Sequence, residues 1–296
     1  MAGRRRSTNK ASAKNRIAFQ GMAGAYSDFA CRHAYPKMEP LPCRTFDDAF
    51  AAVRNGRARF AMIPIENSVA GRVADIHHLL PDSGLHIVGE HFQRVNHHLL
   101  AIKGSKLSDI KHVHSHIHAL NQCRKLIRKL RLNAVVEVDT AGSAAKIAEV
   151  GDRTHAAIAS SLAGEIHGLV SLKANIEDAE HNTTRFIVLS RTAAVAPLNT
   201  PRVITRFVFR VRNVPAALSK ALGGFATNGV NMTKLESYLR SDFVAAQFYA
   251  DVEGHPAKKN LKFAFEELRF FTREVTILGV YPAHPYRWKN KTQDDD

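Results

Sequence analysis

Cysteine is scarce in this chain of 296 residues: Cys31, Cys43 and Cys123 stand alone, with no paired spacing. That excludes a disulfide scaffold and a zinc knuckle, and the expectation is three small buried hydrophobes in a reducing, cytoplasmic setting. Long apolar runs are missing too, so no segment reaches the roughly 20 residues that a membrane-spanning helix needs. Acid is in short supply, with 27 Asp and Glu against 42 Lys and Arg and a formal net charge of +15. Residues 1–16 hold six of the basic residues and no acid. They lack the apolar stretch of a secretory signal and the apolar face of an amphipathic transit helix. Residues 1–15 are therefore expected to form a basic disordered tail. No recognition motif and no interleaved aromatic and basic stripe accompanies the charge, which argues against a nucleic-acid partner. A basic balance equally suits a protein that collects dianionic substrates.

What is present is a chain long enough for two domains, with 45% hydrophobic residues to fill their cores. Between residues 16 and 191 apolar strands and amphipathic helices alternate, the pattern of α/β architecture with largely parallel sheets. Strands are expected at 16–20, 60–65, 85–88, 98–102, 134–138 and 155–160. Helices are expected at 28–34, 45–55 with Thr45 as cap, 119–132, 144–150 and 161–166. Polar residues recur in the turns, at Ser27, Asn67, Ser115, Thr140 and Ser160, as two α/β lobes closing on a cleft require. The run Lys111–His118 places four histidines at period two. A metal is not expected there, because no Asp, Glu or Cys at a convincing spacing completes a ligand set.

The stretch Asn182-Thr183-Thr184-Arg185-Phe186 leads into the apolar run that ends at Leu189. A hydroxyl beside a guanidinium at a strand entrance suits an anionic ligand, since Arg offers a planar fork for a carboxylate and Thr a small donor. Residues 193–202 then read as a linker around Pro197. Beyond it the order changes to strand 203–211, helix 215–227, strands 232–239 and 244–252, helix 257–272 and strand 275–280. That is a βαββαβ, α+β unit over 203–282, followed by a tail, 283–296.

Taken in order, these motifs resemble prephenate dehydratase with a C-terminal ACT regulatory domain, over about residues 16–282. The markers are Gly21-Met-Ala-Gly-Ala-Tyr-Ser27, Pro64-Ile-Glu-Asn-Ser68 with Gly71, Ser115 with Ala119-Leu120 and Gln122-Cys123, Thr140-Ala141, Ala156–Ser160 and Asn182–Phe186. The resemblance implies a two-lobed catalytic domain, like a periplasmic binding protein, over 16–192 and a ferredoxin-like ACT domain over 203–282. It implies conversion of prephenate to phenylpyruvate, water and carbon dioxide without metal, flavin or nicotinamide, and feedback inhibition by phenylalanine in a homodimer or homotetramer. Thr184 is assigned to the leaving hydroxyl and Arg185 to a substrate carboxylate. Ser27, Glu66, Asn67, Ser68, Gly71, Ser115, Thr140, Ser160 and Phe186 are assigned to substrate binding. Ala216, Ala217, Leu218, Asn231, Glu236 and Ser237 are assigned to the effector. The chain departs from the family pattern where Ile117-His118 replaces Pro-Gln, Ala216 replaces Gly, and Tyr238-Leu239 replaces Arg-Pro. Arogenate dehydratase and a non-catalytic amino-acid sensor remain as alternative readings.

Overall fold

The computed structural model describes residues 13–73, 76–179, 181–212, 214–239 and 246–288. The expected basic tail, up to residue 12, and residues 289–296 of the expected C-terminal tail lie outside the described residues. In chain order the first elements are β1 (Arg16–Gln20), α1 (Tyr26–Ala34), β2 (Glu39–Cys43), α2 (Phe46–Arg54), β3 (Phe60–Asn67), β4 (Gly71–Arg72), α3 (Ile76–Leu79), β5 (His86–Arg94) and β6 (His98–Ala101). Next come β7 (His112–His116), α4 (Ile117–Gln122), α5 (Arg124–Lys129), β8 (Asn133–Glu137), α6 (Thr140–Val150), β9 (His155–Ala159), α7 (Ser161–His167), β10 (Val170–Lys173) and β11 (Thr183–Ser190). The last are β12 (Val203–Val211), α8 (Ala217–Thr227), β13 (Met232–Leu239), β14 (Ala246–Glu253), α9 (Lys259–Phe271) and β15 (Thr272–Pro282). The described residues fold as two compact units, one of those up to Val73 with those of His91–Phe186, the other of residues 76–90 with those from Ile187 onward.

The first unit has two sheets. In one, β2, β1, β3 and β11 lie side by side, with β2 and β3 parallel to β1. The other has the order β10-β6-β9-β7-β8. Here β7 is parallel to both β8 and β9, while β6 runs antiparallel to β9 and β10 to β6. Two α/β lobes are therefore present, but the expected largely parallel sheets are mixed. The central strands of the second lobe are apolar on both faces, as a covered sheet requires. Leu99, Ala101, Ala156 and Ile158 pack toward α4 and α5, whereas Leu100, Ala157 and Ala159 pack toward α6 and α7. Gly24 joins the lobes. At φ +89°, it lies where a Cβ would come within 2.8 Å of Ala163 Cα at the start of α7, so a side chain is excluded by both conformation and space.

Local capping explains two departures from the expected boundaries. Helix α1 begins at Tyr26, not Asp28, because the buried Asp28 carboxylate reaches back to accept from Gly24 N at 2.9 Å. The single helix expected over 119–132 is two helices that break at Cys123, whose ψ is 25°. Asp178 causes the break: its N–H donates to Gln122 O at 2.6 Å, and its carboxylate accepts from Lys125 N at 3.2 Å, at the first turn of α5. All three cysteines are free and buried, and burial raises each thiol pKa.

In the second unit β13-β14-β12-β15 form a sheet whose neighbouring pairs are all antiparallel. Helices α8 and α9 cover one face through Phe207, Phe209, Phe225, Phe248, Phe265 and Leu268. This is the ferredoxin-like βαββαβ arrangement. Strand β15 also pairs in parallel with β5 at Gly279 and Ile87, and a Cβ at Gly279 would collide with the Ile87 carbonyl. The expected linker is not a free tether. Ala196 N donates to Val280 O at 2.9 Å, and Ala196 packs with Val203 and Val280. Segment 76–90, expected inside the catalytic domain, folds with this second unit.

Candidate active site

In the first unit β3 and β11 are neighbours, and the contacts Glu66–Arg185, Asn67–Thr184 and Ser68–Thr183 step in opposite directions along them. Successive side chains of a strand face opposite ways, so the pairs alternate between faces. Asn67 Nδ2 lies 3.0 Å from Thr184 Oγ1 and 2.8 Å from Asn182 Oδ1. The opposite end of the same amide, Oδ1, accepts from Val69 N at 2.9 Å and Ala70 N at 2.7 Å. Asn67 thereby closes the turn between β3 and β4, a role open to Asn because its side chain mimics a backbone turn. Ser68 ties the turn to β11, with Oγ donating to His181 O at 2.7 Å and accepting from Thr183 N at 2.9 Å.

Arg185 stands elsewhere. Its guanidinium is buried, pairs with Glu66 Oε1 at 2.9 Å and lies over the Phe92 ring. Strand alternation places it on the face away from Thr184. Thr184 and Arg185 therefore project from opposite faces of β11, and Arg185, buried itself, is paired with the partly exposed Glu66. Phe186, expected to touch substrate, is 1% exposed and belongs to the core.

The remaining expected site residues spread over both lobes of the first unit. Ser27 is buried on α1. Ser160 caps α7 through Ala163 N and donates to Gly24 O at 2.6 Å, so its hydroxyl ties the lobes together. Ser115 is fully buried and donates to Ile158 O at 2.6 Å inside the second sheet. Thr140 opens α6 half-buried, and Asp139, not Thr140, supplies the cap through Gly142 N. Gly71 begins β4 with φ 82°, and His118 is exposed beside His116. The other histidines of the period-two run are held by neighbours: His114 meets Glu137 Oε1 at 2.9 Å and His155 Nδ1 at 2.8 Å.

Several residues without an expected role complete the site. Asn182, 1% exposed, passes its Nδ2 to Gln122 Oε1 at 2.9 Å. Gln122 Oε1 lies 2.9 Å from His97 Nε2, and His97 Nδ1 lies 2.9 Å from the Tyr26 hydroxyl. Burial is the main cause that lowers the His97 pKa and that raises the Tyr26 pKa well above its usual value. At neutral pH His97 is thus an uncharged imidazole and Tyr26 a protonated phenol. The sequence signals were polar residues at the ends of apolar runs, with Tyr26, Asn182 and Gln122 as members of motifs.

In the second unit Ala216, exposed ahead of α8, has φ 59°, the left-handed region where glycine is at ease. Ala217 is buried, Leu218 packs against the α8–α9 core, and Asn231 O accepts from Glu253 N at 2.9 Å. Glu236 lies 3.0 Å from both Lys234 Nζ and the Tyr238 hydroxyl and 3.3 Å from His77 Nε2, while Ser237 is exposed. Burial works to raise the Glu236 pKa, but hydrogen bonds from His77 and Lys234 outweigh it and hold it at about 2. Tyr238 stacks on the His77 ring at 4.4 Å.

Comparison with known proteins identifies the family. The prephenate dehydratase family model matches residues 17–194, and this chain belongs to that family, whose members are lyases of aromatic amino-acid biosynthesis. The chain is 56% identical over 92% of its length to a bifunctional N-acyl-homoserine lactone acylase/prephenate dehydratase of Komagataeibacter europaeus, covering 98% of that protein. It is 39% identical over 90% of its length to arogenate dehydratase/prephenate dehydratase 2 of Arabidopsis thaliana, covering 73% of that protein. Among solved structures, a prephenate dehydratase of Arthrobacter aurescens in complex with L-Phe superposes with a TM-score of 0.82 at 31% identity, covering 90% of each chain.

Proposed function

We propose that this chain converts prephenate to phenylpyruvate, with Thr184 donating a hydrogen bond to the departing ring hydroxyl. One observation carries the reading. Backbone N–H groups only donate, so Val69 and Ala70 force Asn67 to present its oxygen to them and its NH₂ to Thr184. Thr184 Oγ1 is therefore an acceptor toward Asn67, and its own hydrogen remains for a ligand. As the carbon–oxygen bond breaks, that hydrogen stabilises charge growing on the leaving oxygen, which is where a preoriented donor is most effective. The carboxylate on the same ring leaves as carbon dioxide, its electrons complete the aromatic ring, and one proton from solvent turns the departing hydroxide into water. Threonine is too weak an acid to give up its proton outright, so hydrogen bonding is the better description of its part. Arg185 supports the reaction from the other face by holding β3 against β11 through Glu66.

Two neighbouring readings differ in substrate. Relatives named arogenate dehydratases favour testing the aminated substrate, and the bifunctional relative favours testing cleavage of an N-acyl-homoserine lactone. Purified chain incubated separately with prephenate, arogenate and an N-acyl-homoserine lactone separates them by product: phenylpyruvate, phenylalanine, or free homoserine lactone. No product from prephenate or arogenate would refute the dehydratase reading.

Residues 203–282 are proposed as an ACT domain that binds phenylalanine and lowers turnover in a homo-oligomer. The βαββαβ unit and the relative crystallised with L-Phe support this. Titration of the full chain with phenylalanine, by calorimetry and by rate, tests it. Since Tyr238 fills the place of Arg against His77, an altered response is expected.

A further inference from the structure

Residues 76–90 belong to the second unit, yet the chain leaves the candidate site to reach them and returns to it afterwards. On the way out, the Asn67 turn leads through β4 to Val73, whose N–H donates to Ile65 O at 3.0 Å, and α3 begins at Ile76. On the way back, β5 runs unbroken from His86 to Arg94, and the next residue, Val95, donates from its N–H to Asn182 O at 2.9 Å. Asn182 is also the residue that accepts from Asn67. Both ends of one segment therefore emerge at side chains hydrogen-bonded to each other. Inside the second unit the segment is held near both ends. Buried His77 has Nε2 3.3 Å from Glu236 on β13, its ring packs on Tyr238 and Tyr249, and its carbonyl accepts from the Tyr249 hydroxyl. At the other end the buried Glu90 carboxylate takes Arg287 Nε at 2.6 Å, Arg287 Nη2 at 2.8 Å and His284 N at 2.9 Å. A forked ion pair and an imidazole packed on two rings leave the segment little freedom to slide. A close-packed interior passes a displacement on instead of absorbing it.

We propose that segment 76–90 is the coupling element of this chain: gripped at His77 and Glu90, it carries a change at Glu236 to Asn67 and Asn182 through its two ends. Glu236 is among the residues assigned to the effector, so a ligand there that favours one arrangement of β13 also favours one arrangement of the segment. The kinetic consequence rests on the proposed regulation by phenylalanine; the first test does not. It is hydrogen exchange by mass spectrometry on the full chain without ligand. His77→Phe keeps a ring on Tyr238 and loses the nitrogen that faces Glu236, and Arg287→Lys keeps the charge and loses the fork on Glu90. Both are expected to speed exchange roughly fivefold or more at the Val69, Ala70, Val73 and Val95 amides, with residues 112–116 and 133–137 unchanged. Wild-type exchange at the four amides overturns the proposal, and so does a uniform rise that includes the two control strands. The second test measures phenylalanine binding by calorimetry beside inhibition at saturating phenylalanine. In His77→Phe, binding is expected to persist while the inhibition factor falls roughly fivefold or more. Full inhibition with phenylalanine bound contradicts the coupling, and loss of binding would place His77 in the effector pocket instead. A wild-type chain that neither binds nor responds to phenylalanine refutes the effector reading, and the exchange result alone then decides the coupling.

Discussion

Asn67 and Thr184 face each other across β3 and β11, Nδ2 to Oγ1 at 3.0 Å, and the hydrogen between them belongs to Asn67. Asn67→Asp removes that donor while keeping an oxygen for Val69 and Ala70. Thr184 would then turn its own hydrogen to the carboxylate. A fall in kcat of roughly two to four orders of magnitude is expected, with KM little changed because the bond matters most in the transition state. Steady-state kinetics check it, and a wild-type kcat would separate Thr184 from the orientation of Asn67.

Arg185→Lys keeps the charge and loses the fork that reaches Glu66. The pair is buried on the Arg side, and weakening such a pair is expected to cost about 1–3 kcal/mol of stability. A lower thermal midpoint with a smaller effect on kcat than Asn67→Asp is the expected result. An unchanged midpoint with a large rise in KM would instead identify Arg185 as a direct clamp on substrate.

Ala216→Gly relieves a left-handed alanine, a conformation that costs roughly 1–2 kcal/mol in a residue with a Cβ. Glycine adds about 0.4–1 kcal/mol of unfolded-state freedom in the opposite sense. The balance predicts a small rise in the unfolding midpoint, measured by calorimetry. A clear fall would mean that the Ala216 methyl makes contacts worth more than the strain.

Glu236 is held at about 2 in the folded chain, below its ordinary 4.5. A carboxylate depressed by folding stabilises the fold above the unfolded pKa, and that stability is lost as pH falls toward the folded value. Glu236→Gln is therefore expected to flatten the dependence of unfolding free energy on pH between about 4.5 and 2. Denaturant titrations across that range check it, and an unchanged slope would remove Glu236 from the acid response.

Much of the fold was legible in the sequence because strand and helix periods are local. The alternation through residue 191, the Thr45 cap on α2 and the βαββαβ order after residue 203 all follow from neighbours along the chain. The break at Cys123 was not legible, since the group that causes it, Asp178, lies 53 residues from Lys125. Nor was the pairing of β6 and β10, which turns a parallel sheet into a mixed one. At the site, Asn67 and Thr184 stand in motifs, but their juxtaposition depends on strands 117 residues apart. Tyr26 stood in the Gly21–Ser27 motif without a role and His97 carried no signal, because what brings them together is burial and a hydrogen bond between residues 71 apart. The pairing of Arg185 with Glu66 was not legible either, because it joins residues 119 apart in the chain.

The most direct measurement follows phenylpyruvate formation from prephenate by the purified wild-type chain, Thr184→Ala and Thr183→Ala under saturating substrate. Thr183 is buried on the opposite face of β11 and bonds to Ser68 through its backbone. Turnover by the wild type, a loss of roughly two to four orders of magnitude in Thr184→Ala and a much smaller loss in Thr183→Ala are expected. Equal losses at the two positions, or a Thr184→Ala variant as fast as the wild type, would contradict Thr184 as the donor to the leaving hydroxyl.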